Sequence, residues 1–162
     1  MKTLILYASS HGTTEKIARH IAAKLEPTVN CELSDIKKQK KISLDTYNCI
    51  VIGASIHAGN VQRSIRNFCI KHESILLSKP LALFLSGMHK EKYEEQFDKA
   101  FPKNLRDHAF SKRNVGGEFI FEKMNFFEKA IIKKITGLNS SVSAIIYKEA
   151  DALAEDILAL AQ

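Results

Sequence analysis

The sequence predicts an α/β protein built on a doubly wound, five-stranded parallel sheet. Three observations predict it. Short continuous apolar runs recur along the chain, as strands covered on both faces require. Segments of helical periodicity alternate with them, which implies βαβ units. A loop rich in Ser, Thr and Gly joins the first such strand to the first helix.

The first run, Leu-Ile-Leu-Tyr-Ala at residues 4–8, is the opening strand. Residues 14–25 place Ile17, Ala18, Ile21, Ala22 and Leu25 at helical spacing, and Pro27 ends that helix. Residues 28–33 read as the second strand and 49–53, Cys-Ile-Val-Ile-Gly, as the third. A helix is expected over 62–76, a fourth strand over 81–85 and a helix over 91–101. The fifth strand is expected at 115–121, and an Ala/Leu-rich helix closes the chain at 151–160. In such sheets ligands bind beyond the carboxyl ends of the strands, where the strand order reverses. That directs attention to the loops after Ala8, Ala54 and Leu85.

A chain of 162 residues fits a single domain that buries roughly 70% of its unfolded surface. Residues 122–138 read as a basic amphipathic insertion within it. Cys31, Cys49 and Cys69 are odd in number and widely spaced, with no C-x-x-C pair and no Cys/His cluster, so neither a disulfide framework nor a metal site is expected. Cys49 opens an apolar run and reads as a small buried hydrophobe. No run approaches the ~18 apolar residues of a spanning helix, and the first residues do not read as a secretory leader. A reduced, cytoplasmic setting is expected, with at most peripheral contact at the inner face of the membrane.

The net charge is +6, which suits an anionic partner. The run Lys37-Lys38-Gln39-Lys40-Lys41 reads as a solvated connection. No aromatic residues interleave with it for base stacking, and no nucleic-acid partner is expected.

The chemistry-bearing signal is Ser9-Ser10-His11-Gly12-Thr13-Thr14, four hydroxyls around one Gly and one His at the start of a helix. Hydroxyls, loop amides and the helix N-terminus together suit an anion. No G-x-G-x-x-G and no G-x-x-x-x-G-K-[ST] occurs, so a dinucleotide or triphosphate loop is excluded in favour of a single phosphate. The bland alternative is that these residues only cap the helix.

This loop resembles the phosphate signature of the flavodoxins, T/S-x-T-G-x-T, with Ser9, Gly12 and Thr14 matching and His11 in place of the usual Thr. The resemblance implies FMN as cofactor, its phosphate held by Ser9 to Thr14. It also implies that the residues Ala54, Ser55, Ile56, His57, Ala58 and Gly59 form the first loop beside the flavin ring. Ser86, Gly87 and Met88 would form the second, with Tyr93 stacked on the ring. The usual G-x-G-D start of that second loop is absent, and His89 stands where Asp is common. No catalytic acid or base is assigned; His57 and His89, in the loops beside the expected ring, are candidates by position and residue type.

Carrier flavodoxins are generally acidic, whereas this chain is basic. It also carries a segment, 121–137, in which Phe127, Ile131, Ile135 and the following Leu138 share one helical side, with Lys129, Lys133 and Lys134 on others. Such a helix fits either an anionic membrane surface or the edge of the sheet. With the opening residues 1–6 and Gly53-Ala54-Ser55-Ile56, these features resemble the menaquinone-dependent protoporphyrinogen oxidases. That resemblance implies an FMN oxidoreductase taking electrons from a porphyrinogen and passing them to a quinone at the membrane. Two alternatives remain open: a flavodoxin-type carrier that docks on redox proteins and has no substrate of its own, and a regulatory module that has lost FMN.

Overall fold

The computed structural model describes residues 1–39, 41–57 and 60–162, with His57 described by its backbone alone. Strand β1 (Lys2–Tyr7) leads through the Ser/Thr loop into helix α1 (Thr13–Leu25). Strand β2 (Asn30–Asp35) follows, then β3 (Cys49–His57) and a short return strand β4 (Asn60–Val61). Helices α2 (Arg63–Lys71) and α3 (Glu73–Leu77) precede β5 (Leu81–Ser86). Helices α4 (Tyr93–Ala100) and α5 (Lys103–His108) lead to β6 (Ser111–Asn114). The chain then forms β7 (Glu118–Phe119), α6 (Phe126–Thr136) and β8 (Val142–Ser143), and ends in α7 (Tyr147–Ala159).

The main sheet runs β2-β1-β3-β5-β6, every neighbour parallel, with β4 folded back antiparallel on β3. The order reverses between β1 and β3, which makes that crevice the expected binding site. Alternation along each strand divides the core in two. Leu4, Leu6, Ile50, Ile52, Leu83 and Leu85 pack on one face with Ile65, Cys69, Phe97 and Phe101. Ile5, Tyr7, Val51, Ala82 and Phe84 pack on the other with Ile17, Ile21, Leu153 and Ile157. The outcome is the three-layer sandwich expected for a doubly wound sheet.

Three elements differ from the sequence reading. The fifth strand of the sheet is Ser111–Asn114, not 115–121, and residues 118–119 pair with 142–143 in a separate two-stranded ribbon. An edge strand has a neighbour on one side only, so Ser-Lys-Arg-Asn can fill it without an apolar run to mark it. The helix expected over 62–76 is two helices, broken at His72 (φ −111°, ψ 17°). No Gly or Pro announces that break, and Ile65, Cys69 and Leu76 stay buried on one face across it. Helix α5 was not expected; its six residues bury only Leu105.

Candidate flavin-binding cleft

A cleft of about 240 Å³ opens at the carboxyl ends of β1, β3 and β5. Strand register brings its parts together: Ser55 pairs with Ser86 at the ends of β3 and β5, and Tyr7 lies level with Gly53 two residues before the loop. Ser9, Ser10, His11, Thr13 and Thr14 line one end, and Ser55, Ile56, Ser86, Gly87 and Met88 line the middle.

The loop geometry is set by a few bonds. Ser9 Oγ accepts the Gly12 N–H at 2.9 Å, which curls the chain towards α1. Gly12 sits at φ +95°, a left-handed conformation costly for any residue with a Cβ, and serves as the N-cap of α1. Gly12 has no side chain with which to cap α1, and its own N–H is the one bonded to Ser9 Oγ. Thr13 and Thr14, in the first turn of α1, line the cleft, and the first amides of a helix have no partner within it. Ser10 Oγ accepts from Lys37 Nζ at 2.9 Å and from Gln62 Nε2 at 3.0 Å. Both of its acceptor positions are then used, and its O–H is left to donate. Thr14 is buried, while Thr13 Oγ1 donates to Glu118 at 3.3 Å.

The segment 117–136 supplies the third wall. Gly117, Glu118 and Phe119 come from the β7 region, and Met124, Glu128, Ile132 and Ile135 from the turn before α6 and from α6 itself. The segment is tied to the loop at several points. Lys123 Nζ donates to the His11 carbonyl at 3.1 Å, and His11 Nε2 lies 3.5 Å from Glu128 Oε1. Glu118 accepts from Lys16 Nζ at 2.8 Å and from Ser143 Oγ at 2.9 Å as well as from Thr13. Burial pushes the Glu118 carboxyl up, but the bonds from Lys16, Ser143 and Thr13 and the lysine charge outweigh it. The group is held below the ordinary carboxylate range. The rim opposite α6 is the polar side of α4 and the residue before it: Lys92, Glu95, Gln96 and Lys99, with Lys99 paired to Glu95.

Some expected site residues lie elsewhere. Ala54 is fully buried within β3 and does not line the cleft. Gly12 shapes the loop through its backbone. Tyr93 opens α4 but turns into the core, its ring 5.2 Å from that of Phe97, and does not line the cleft. Burial raises its hydroxyl to about 12. Ala58 and Gly59, and the side chain of His57, lie outside the described residues. His89 lines the cleft.

The sequence reading missed the lysines at the loop and the whole third wall. Lys37 reads as surface because its run follows a turn, and nothing local shows that β2 ends beside β1. The apolar spacing of 121–138 was visible, but its orientation was not. Ile132, not Phe127, is the buried residue of α6.

A family model described as a flavodoxin domain matches residues 4–142. The chain belongs to that family. It is 30% identical over 160 residues to a Leishmania major protein named protoporphyrinogen IX dehydrogenase [quinone], covering 91% of this chain and 69% of that one. It is 25% identical over 142 residues to the Escherichia coli K12 protein of the same name, covering 83% and 78%. Among solved structures it resembles a flavodoxin from the domain Archaea, with TM-score 0.58 and 16% identity over 99% of both chains. It also resembles oxidised flavodoxin 2 from Bacillus cereus, with TM-score 0.51 and 25% identity over 83% of this chain and all of that one.

FMN is the cofactor that membership of this family implies, and the donor set of the cleft fits it. An uncapped helix end, the Ser10 O–H and the buried Thr14 hydroxyl suit a phosphate at one end. The middle is flanked by main chain of two strand ends, with Ile56 and Met88 as apolar surface for a planar ring. The protein is an FMN flavoprotein with a flavodoxin fold.

Proposed function

We propose that this flavoprotein is an oxidoreductase that takes electrons from a reduced, carboxylate-bearing substrate of porphyrinogen type and passes them to a quinone. The observation that carries the reading is the third wall. Phe119, Met124, Ile132 and Ile135 give the cleft an apolar side, and its polar rim carries Lys92 and the Lys99–Glu95 pair. An apolar macrocycle with acidic side arms, or the ring of a quinone, matches a cleft so divided. The names of the relatives support the same substrate and acceptor.

When bound, FMN supplies the electron transfer. The chain's own residues do the rest. Ser9, Ser10, His11, Gly12, Thr13 and Thr14 hold the phosphate end. Ser55, Ile56, Ser86, Gly87 and Met88 flank the ring. Met124 and Ile132 exclude water from one side, and Lys92 attracts the carboxylates.

Among the described residues no helix is long and apolar enough to cross a membrane. Phe126 and Phe127 on α6 are 80% and 76% exposed, and Ile131 and Ile135 are exposed beside Lys133 and Lys134. That face supports peripheral contact with an anionic bilayer, where quinones reside. Sedimentation with vesicles of anionic but not zwitterionic lipid checks it.

The carrier reading draws on the likeness to flavodoxins over nearly the whole chain. One experiment separates the two. The FMN-loaded protein is mixed anaerobically with protoporphyrinogen, and then with a menaquinone analogue. Bleaching of the flavin by the first and recovery with the second is the expected result. Retained flavin that answers to neither, but is reduced by a flavodoxin reductase, assigns the protein to the carriers.

A further inference from the structure

Helix α4 turns Phe97 and Ala100 into the core and carries Glu95 and Lys99 on the rim of the cleft. Gln96 stands at the border of these two faces. It is only 5% exposed, yet it lines the cleft. Its Oε1 lies 3.3 Å from where a Cβ on Gly87 would stand, and Ile56 Cγ1 lies 3.1 Å from the same point. The carboxamide is thus held between Ile56, near the end of β3, and Gly87, just beyond β5. No hydrogen bond joins it to another of the described residues.

Burying a carboxamide without a partner costs free energy that a leucine of similar size would avoid. Phe97 and Ala100 anchor the helix beneath it, so the group is in place before any ligand arrives. The main chain beside it is already committed. Gly87 N–H donates to the Gly116 carbonyl at 3.0 Å, and Gly117 packs so closely that a Cβ on it would stand 3.2 Å from the Gly87 carbonyl carbon. Gln96 brings a donor and an acceptor to the same place. The flavin ring has one edge of matching chemistry, the cyclic imide, where an N–H stands beside a carbonyl. A carboxamide pairs with such an edge through two hydrogen bonds, as Asn and Gln do with the edge of adenine.

We propose that Gln96 is a side-chain ligand of the flavin's imide edge, its Oε1 accepting the imide N–H and its Nε2 donating to the adjacent carbonyl, and that this pairing raises the ring's affinity for electrons. The proposal rests on the cleft being the flavin site. Reduction places electron density on the ring carbonyls, so a donor held there favours the reduced form. That direction suits a flavin that takes electrons from its substrate.

The test compares FMN with 3-methyl-FMN, which keeps the phosphate but has a methyl in place of the imide hydrogen, by fluorescence quenching on the full chain. The unaltered protein is expected to prefer FMN by about tenfold or more. In Gln96→Leu the FMN affinity should fall by about tenfold while that for 3-methyl-FMN stays within about twofold, so that the preference is erased. Binding of 3-methyl-FMN doubles as the check on folding. The midpoint potential of bound FMN should fall in Gln96→Leu, and further in Gln96→Glu, where a carboxylate faces the electron-rich ring. If both flavins weaken alike in Gln96→Leu, the residue only packs and the proposal falls. It falls as well if the preference for FMN survives the substitution, and an unmoved potential overturns the effect on the ring's electron affinity. If the unaltered protein binds neither flavin, the assignment of the cleft itself is overturned, a result distinct from the others.

Discussion

Single residues set the limits of the crevice. Gly53 lies in β3 where a Cβ would stand 2.1 Å from the Cζ of Phe84 and inside the contact distance of two further ring atoms. Phe84 is fully buried, so its ring has nowhere to move. Gly53→Ala is expected to cost about 1–3 kcal/mol by overpacking, read as a lower midpoint in urea unfolding. An unchanged midpoint would mean that β3 can shift relative to β5 at little cost. Two residues further on, Ser55 and Ser86 complete the floor of the site. The core and the cleft therefore share one strand, and part of the loss should appear as weaker flavin binding.

At the scale of elements, the segment from β7 to β8 behaves as an appendage held by polar bonds. Its helix α6 buries only Ile132 and is stabilised locally. Asn125 Oδ1 accepts the Glu128 N–H at 2.9 Å, and Glu128 Oε2 accepts the Asn125 N–H at 2.8 Å, which closes a capping box. Removing the cap with Asn125→Ala is expected to cost about 1 kcal/mol. The loss belongs to this element, so it should show as faster amide exchange across 126–136 rather than as a shift in global unfolding.

The ribbon of β7 and β8 has its own pH dependence. The Glu118 carboxyl is depressed below 4.5 when folded. A depressed acid contributes stability that is present above its unfolded value and lost as pH falls through the folded one. Amide protection around 118 and 143 should therefore fall as the solution is acidified below about 4.5, near the reference carboxylate value. In Glu118→Gln that acid transition should disappear. A transition that persists in the variant would assign it to another carboxylate.

On the scale of the whole molecule, two apolar layers enclose a parallel sheet, and the cysteines record how dry they are. Burial raises the thiols of Cys49 and Cys69 to about 12 and that of Cys31 to about 11. The unfolded chain releases these protons nearer 9, so stability is complete below that value and is lost as pH rises towards the folded ones. Urea midpoints should fall between pH 8 and pH 10. A thiol reagent at pH 8 should label Cys49 and Cys69 only as fast as the protein opens. Rapid labelling of both in native conditions would contradict the packing described.

The fold was legible because it depends on local patterns. The apolar runs at 4–8, 49–53 and 81–85 are strands since nothing in them can face water. The spacing of Ile17, Ile21 and Leu25 is helical whatever it packs against. The loop from Ser9 to Thr14 was legible for a related reason: its chemistry is contiguous. Ser111–Asn114 was not, because an edge strand is defined by its neighbour and not by its own residues. Tyr93 looked like a ring for stacking, but which way the first turn of α4 faces is decided by Phe97 and the core beneath it.

By itself, then, the sequence determined the strand–helix alternation, the position of the Ser9–Thr14 loop between β1 and α1 and the existence of an amphipathic segment near the last strand. Each of these follows from periodicity or from residues adjacent in the chain. Only the tertiary structure decided that Lys37 and Lys123 meet on that loop, that Glu118 joins Thr13 to Lys16, and that Ile132 rather than Phe127 turns inward. Those pairs are separated by up to 112 residues, as Lys123 and His11 are. Contacts of that range are fixed by how the layers pack, and no local pattern encodes them.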